Sequence, residues 1–223
     1  MNHPEDPGPS PERAILSRAE LADRTIEVLN RGNRRNPDVL LVADGDRRMV
    51  VKDFAPRGAL VRHTIGRFLT RHEARAYQWL DGHPSVPRFL GWIDPLAFAV
   101  AYRPGRRVSR NLIEDGGPGF GAALDQAVAG LHARGLVHLD LGHRSNVLVE
   151  ADGAPVLIDF ASAVWFRPGS LGARFLLPRL AAYDLRAVHK WSAKLEVQRS
   201  LREAAEGAGG GSSDAARSES RPT

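Results

Sequence analysis

Residues 137–149 read VHLDLGHRSNVLV. Apolar residues bracket the stretch at both ends, and His138, Asp140, His143, Arg144 and Asn146 sit between them within nine residues. Burying polar groups is costly unless each is hydrogen-bonded, so this density of hydrogen-bonding side chains marks the stretch as a site. Immediately after it come NVLVE (146–150) and PVLIDF (155–160), joined by Ala151-Asp152-Gly153-Ala154, a turn signal between two short strands. A hairpin brings its outer ends together, which places Asn146 beside Asp159, with Asp140 just outside the first strand. Two carboxylates and an amide converging on one spot are hard oxygen donors, suited to Mg²⁺ or Mn²⁺ bound together with substrate phosphates.

A phosphate site also needs fixed positive charge. Upstream, TIEVL (25–29) and VLLVA (39–43) read as strands joined by NRGNRRNPD, and Asp44-Gly45-Asp46 turns the chain into a third strand, MVVKDF (49–54). Lys52 stands in that third strand among apolar neighbours. Residues 55–76 then carry Arg57, Arg62, Arg67, Arg71 and Arg75 against a single acid, Glu73. A Lys52–Glu73 pair would satisfy both groups and aim the ammonium at a phosphate.

The remaining elements follow from punctuation and period. Ser17-Arg-Ala-Glu20 reads as a capping box opening a short helix. Residues 58–81 place apolar side chains at 61, 65, 68, 69, 76, 79 and 80, which predicts one helix with a break, or two helices. His83-Pro84 and Val86-Pro87 end that section. LAFAVAY (96–102) is strand-like, and Arg103-Pro104-Gly105 breaks it. GAALDQAVAGLHARG (121–135) is a helix with Gly135 as its C′ residue. A last helix spans about 181–205. Strands with one helix, followed by helices with a small hairpin, predict an α+β protein of two lobes without internal repeats.

Composition narrows the classes. The chain has 223 residues and no cysteine, which excludes disulfides and thiolate metal sites. Residues 1–12 hold four of the 15 prolines, and 206–223 are Gly/Ser-rich; both are expected to be disordered around one domain at 13–205. No signal-like segment and no apolar run long enough to span a bilayer is visible, so the expected location is cytoplasmic. The net charge of +5 is mostly arginine. The amphipathic, arginine-rich segment 58–75 reads either as a helix packed on the small lobe or as a face for peripheral contact with an anionic membrane. No aromatic-rich basic motif points to specific nucleic-acid binding.

Lys in the third strand, Glu in the next helix, H-x-D…N before a hairpin and D-F at its end: this order resembles the protein-kinase-like superfamily. The stretch RHEARAYQWL…VPRFLGW…GLHARGLVHLDLGHRSNVLV…VLIDFAS is similar to small bacterial lipopolysaccharide (Kdo and heptose) kinases and RIO-like kinases, over residues from about 25 to 200. The resemblance implies a two-lobed fold, with a small antiparallel-sheet lobe at about 13–102 and a reduced, mostly helical lobe at about 103–205. It implies an ATP-dependent phosphotransferase using Mg²⁺ or Mn²⁺. Lys52 would contact the α- and β-phosphates with Glu73 holding it, Asp140 would be the catalytic base, and Asn146 and Asp159 would bind the metal. Gly32 would lie in the phosphate loop, and Ala101, Arg103 and Gly105 in a hinge offering backbone hydrogen bonds to adenine. His138 would support the loop, and Asp184 would brace it from the last helix. The acceptor is a hydroxyl, of a protein Ser/Thr or of a lipopolysaccharide sugar.

The sequence departs from that pattern in four places. The expected phosphate loop has one glycine, Gly32, and Pro37 offers no N–H; Arg31, Arg34 or Arg35 would have to substitute with side-chain contacts. Asn146 follows Asp140 by six residues, where five is usual. Ala161 stands where glycine usually follows D-F. Only about 45 residues lie between Asp159 and the tail, with no A-P-E. These departures motivate a second reading, a nucleotide-binding pseudokinase scaffold. A third class, a zinc hydrolase built on His138-x-Asp140-x-x-His143, would need further convergent histidines, and none shows matching spacing.

Overall fold

The structure is a computed structural model that describes residues 14–34, 36–108 and 119–209. The expected disorder of 1–12, most of the 206–223 tail, and Arg35 lie outside the described residues. The chain is mixed α and β. A short helix α1 (Arg18–Arg24) opens on the expected capping box: the Ser17 side chain accepts from the Glu20 amide, and the Glu20 carboxylate accepts from the Ser17 amide. Strands β1 (Thr25–Asn30), β2 (Asp38–Asp44) and β3 (Arg47–Asp53) form the expected meander, with Gly45 at φ +59° in the β2–β3 turn. Strand β4 (Phe89–Asp94), which the periodicity did not separate from its proline-rich surroundings, and β5 (Ala97–Ala101) complete a five-stranded antiparallel sheet in the order β1-β2-β3-β5-β4.

The period-2 alternation of this sheet positions the site. Met49, Val51, Ala97 and Ala99 enter one core cluster with Leu16 and Leu21 of the α1 region. Phe98 and Val100 enter the other, against which Val50 packs. Lys52 pairs with Phe98 across the ladder, so it stands on the second face, beneath the helix that follows. That helix arises in three parts: α2 (Ala59–Val61), a π-helical turn (Arg62–Gly66) and α3 (Arg67–Trp79). The break expected within 58–81 is this π turn. Of the expected apolar stripe, Ile65 and Phe68 point outward, 48% and 67% exposed. Ala76 and Leu80 of that stripe are buried as expected, and the rest of the buried face of α3 carries Thr70, Glu73, Ala74 and Tyr77. Small residues let the helix approach the sheet, and Glu73 has Lys52 beneath it, so that side wins over the larger apolar one.

Beyond β5 the chain forms a short strand β6 (Gly105–Arg107), helix α4 (Phe120–Ala133) and β7 (Leu136–Val137). Gly135, at φ +80°, is the C′ residue of α4 as expected. A Cβ there would meet the Phe166 carbonyl at 2.5 Å, so the position needs glycine twice over. Strands β8 (Val147–Glu150) and β9 (Pro155–Leu157) form the expected hairpin, widened by β6 into three strands. Strand β10 (Val164–Trp165) pairs with β7. Helices α5 (Leu171–Phe175) and α6 (Leu177–Gly209) close the chain. Helix α6 starts four residues earlier than expected and continues through Gly209, into the segment expected to be unfolded. One core runs unbroken from the sheet through Tyr77 and Leu80 to Leu124, Leu131, Leu157 and Trp191, so the hairpin and α4 are anchored to the same packing as β5.

Candidate functional site

The carboxylate of Glu73 is the hinge of the site. Its Oε1 accepts from Lys52 Nζ at 2.5 Å and from the backbone N–H of Phe160 at 3.2 Å. Lys52 Nζ also reaches Asp159 Oδ1 at 2.9 Å. Three elements, β3, α3 and the turn after β9, are therefore tied at one ammonium. Lys52 and Glu73 are nearly out of solvent, whereas the Asp159 side chain remains 45% exposed. Tyr77, one turn along α3, accepts the Asp159 N–H through its hydroxyl at 3.2 Å, a contact that nothing in the sequence announced.

Electrostatics follow from this geometry. Burial alone would lower the Lys52 pKa, but the charges of Glu73 and Asp159 outweigh it and hold the ammonium above its ordinary value. Burial alone would raise Asp159, and Lys52 outweighs it, so Asp159 lies below the usual carboxylate range. Glu73 is the most deeply withdrawn of the three. Burial pushes it up to about 7 against the pull of Lys52.

The opening stretch 137–149 lies alongside. Asn146 Nδ2 donates to the Asp140 carbonyl at 3.0 Å and to Asp140 Oδ2 at 2.8 Å. With its amide hydrogens so engaged, Asn146 Oδ1 is the atom left as an acceptor; the Ser145 hydroxyl lies 3.2 Å from it. The Ile158 N–H donates to the Asn146 carbonyl at 3.0 Å, which sets Asn146 next to the Asp159 turn. Asn146 itself closes a 3-10 turn (Arg144–Asn146), and β8 therefore starts one residue later than the sequence suggested.

Among the described residues, the only non-glycine residues with positive φ are Leu139 at 65° and Asp159 at 67°. Each lies in or beside this cluster. Such conformations cost about 1–3 kcal/mol apiece and gather where structure is held for use. The surroundings over-determine both. The Asp184 carboxylate on α6 accepts the N–H groups of His138 (2.8 Å) and Leu139 (2.9 Å) and also His132 Nε2 (3.1 Å). His132, in GLHARG, was not singled out by sequence. His138 is fully buried. Its Nε2 faces the Ile158 carbonyl at 3.1 Å and so carries the hydrogen, while its Nδ1 accepts from the Asp140 N–H at 3.3 Å. Burial lowers its pKa and keeps the ring neutral. Both nitrogens are engaged, which leaves none for a zinc ion. Among the described residues, no group of three or more His, Cys, Asp or Glu side chains could hold a metal.

The remaining sequence candidates serve the frame. The Gly32 N–H donates to Asp38 Oδ1 at 2.8 Å, and Arg57 pairs with the same oxygen while donating to the carbonyls of Gly32 and Asn33. A Cβ on Gly32 would meet the Asn36 carbonyl at 2.1 Å. The glycine thus lets the β1–β2 loop fold onto itself, and its N–H is not free for a phosphate. The Ala101 N–H is taken by the Arg88 carbonyl at 2.8 Å. Arg103 forms a two-pronged pair with Glu150 and donates to the Pro84 carbonyl, which makes it a strut. Gly105 sits in β6 opposite Glu150, where a Cβ would lie tightly, at 3.1 Å, against Leu148 and the Val149 carbonyl.

No protein-family model matches the chain, and no curated protein is similar to it. Among the described residues no helix is long and apolar enough to cross a membrane.

Proposed function

We propose that this chain is a protein-kinase-like phosphotransferase of two lobes that moves the terminal phosphoryl group of ATP to a hydroxyl acceptor. The observation that carries the reading is the convergence of the Glu73-held Lys52 on Asp159, next to Asn146 and Asp140. These residues lie far apart in sequence and have no evident structural need to meet at a partly open carboxylate.

The roles follow from the bonds. Lys52, fixed by Glu73, neutralises phosphate oxygens. Asp140 keeps Oδ1 for the acceptor hydroxyl, which it orients and from which it takes the proton. Asn146 Oδ1 and the Asp159 carboxylate are hard oxygen donors that fit Mg²⁺ or Mn²⁺. When bound, the cation supplies charge neutralisation at the phosphates. His138, Leu139 and Asp184 hold the backbone under Asp140. Catalysis of this kind is mostly positioning and electrostatics. The acceptor is a protein Ser/Thr or a lipopolysaccharide-type sugar.

The closed β1–β2 loop and the engaged Ala101 amide favour one second reading, a nucleotide-binding scaffold without turnover. Mg²⁺-dependent transfer of labelled phosphate from ATP separates the two, measured on wild type and Asp140→Asn with bacterial envelope extract and a generic protein as acceptors. Transfer lost in Asp140→Asn supports the kinase, and the labelled fraction identifies the acceptor. Tight MgATP binding with no transfer supports the scaffold. No MgATP binding at all overturns both.

A further inference from the structure

On the side of α3 away from Lys52 is a cavity of about 310 Å³ lined by Arg67, Phe68, Arg71, His72, Arg75 and Trp165. The three arginines follow one another at intervals of four, so they stack along one helix face. Like charges at that spacing destabilise a helix. No side-chain hydrogen bond or ion pair offsets this, because none of the three has such a partner among the described residues. Arg18, Arg57 and Arg103, which are more withdrawn from solvent, are by contrast each paired with a carboxylate.

The aromatic wall is built as deliberately. His72 stacks on Phe68, with ring centroids 5.8 Å apart, and lies 4.8 Å from the Trp165 ring. Its Nε2 donates to the Ala163 carbonyl at 2.8 Å, which fixes the imidazole between helix and strand. Trp165 is held from behind by Trp79 and by its pairing with Leu136. Yet Phe68 remains 67% exposed beside three free guanidiniums.

We infer that this cavity is a binding site for a phosphate ester, its phosphate gripped by Arg67, Arg71 and Arg75 and its organic part lying on Phe68, His72 and Trp165. Guanidinium forks match phosphate oxygens in geometry as well as charge. The volume suits one small ligand or head group, being at the low end for small-molecule pockets. A single-stranded nucleic acid would need a longer groove with several stacking rings. The site is separate from the Lys52 cluster, and its existence does not rest on the proposed kinase activity. It does share α3 and the 159–165 segment with that cluster.

Calorimetric titration of the full chain with glucose 6-phosphate, inorganic phosphate and glucose tests the assignment, beside co-sedimentation with phosphatidylcholine vesicles with and without phosphatidic acid. The expected result is binding of glucose 6-phosphate but not glucose, weakened about tenfold or more in Arg71→Gln and unchanged in Lys52→Met. Binding confined to phosphatidic acid vesicles, and lost in Arg71→Gln, keeps the site and makes its ligand a lipid head group. Three results overturn the proposal: no binding to any probe, binding equal in Arg71→Gln and wild type, or binding lost in Lys52→Met but retained in Arg71→Gln. Arg71 is exposed and unpaired, so its replacement leaves the fold intact, and the melting temperature of the variant checks this.

Discussion

The Asp159 turn and the β1–β2 loop use the same kinds of residue in opposite ways. Around Asp159, bonds from Lys52, Tyr77 and the Glu73-anchored Phe160 amide fix the backbone and one carboxylate oxygen, and the side chain still reaches solvent. In the β1–β2 loop, Arg57 and Asp38 turn inward, and the Gly32 N–H and carbonyl both end inside the loop. One arrangement leaves a carboxylate open to solvent; the other holds the loop closed. The difference shows that a charged residue beside a glycine does not make a phosphate cradle. What matters is whether the N–H groups are left free.

The sharpest way to break this comparison is to remove the open side. Asp140→Asn is expected to lower turnover by about 10²–10⁴-fold with an unchanged melting curve, and an unchanged rate removes Asp140 from the chemistry. Asp159→Ala is expected to abolish Mg²⁺-dependent ATP binding, read by calorimetry; normal MgATP binding would disprove the metal assignment. Removing the closed side should act on stability instead. Arg57→Ala leaves the buried Asp38 carboxylate unpaired and is expected to cost about 3 kcal/mol in denaturant unfolding, with kcat kept where the protein remains folded. A loss of kcat without a loss of stability would place Arg57 at the phosphates.

The smallest effect is in pH. His138 has a folded pKa below its ordinary value of 6.5. The stability from keeping it neutral is therefore complete above about pH 6.5 and is lost as pH falls further. Glu73 acts in the other direction. Its pKa is raised to about 7 from 4.5, so it favours the fold at low pH and loses that contribution as pH rises through this window. Melting temperature against pH should thus slope more steeply upward between about pH 5 and 7 in Glu73→Gln than in wild type. Equal slopes would mean that Glu73 titrates alike in both states.

Several parts of the site were legible because they rest on local pattern. The capping box at Ser17, the meander, the Gly135 helix end and the 147–157 hairpin follow from spacing and turn chemistry over a few residues. So did the pairing of Lys52 with Glu73, through the rule that a buried charge needs a partner. Phe68 and Ile65 misled, because apolar period alone does not say which side of a helix meets the sheet; Ala74, Tyr77 and the Glu73–Lys52 pair turn that side inward, and of the expected stripe Ala76 and Leu80 stay buried. Strand β4 was hidden because its pairing with β5 is not a property of residues 89–94 by themselves.

The sequence by itself determined the short elements that carry Lys52, Glu73, Asn146 and Asp159, since periods of 2 and 3.6 and the demands of caps and turns act within a few residues. Only the tertiary structure decided what those side chains touch. Lys52 meets Asp159 across 107 positions, Asp184 reaches His138 across 46, and His72 reaches Ala163 across 91. Contacts at that range form where the shared core lets buried polar groups find partners. That is a condition on the whole chain at once, and no local window contains it.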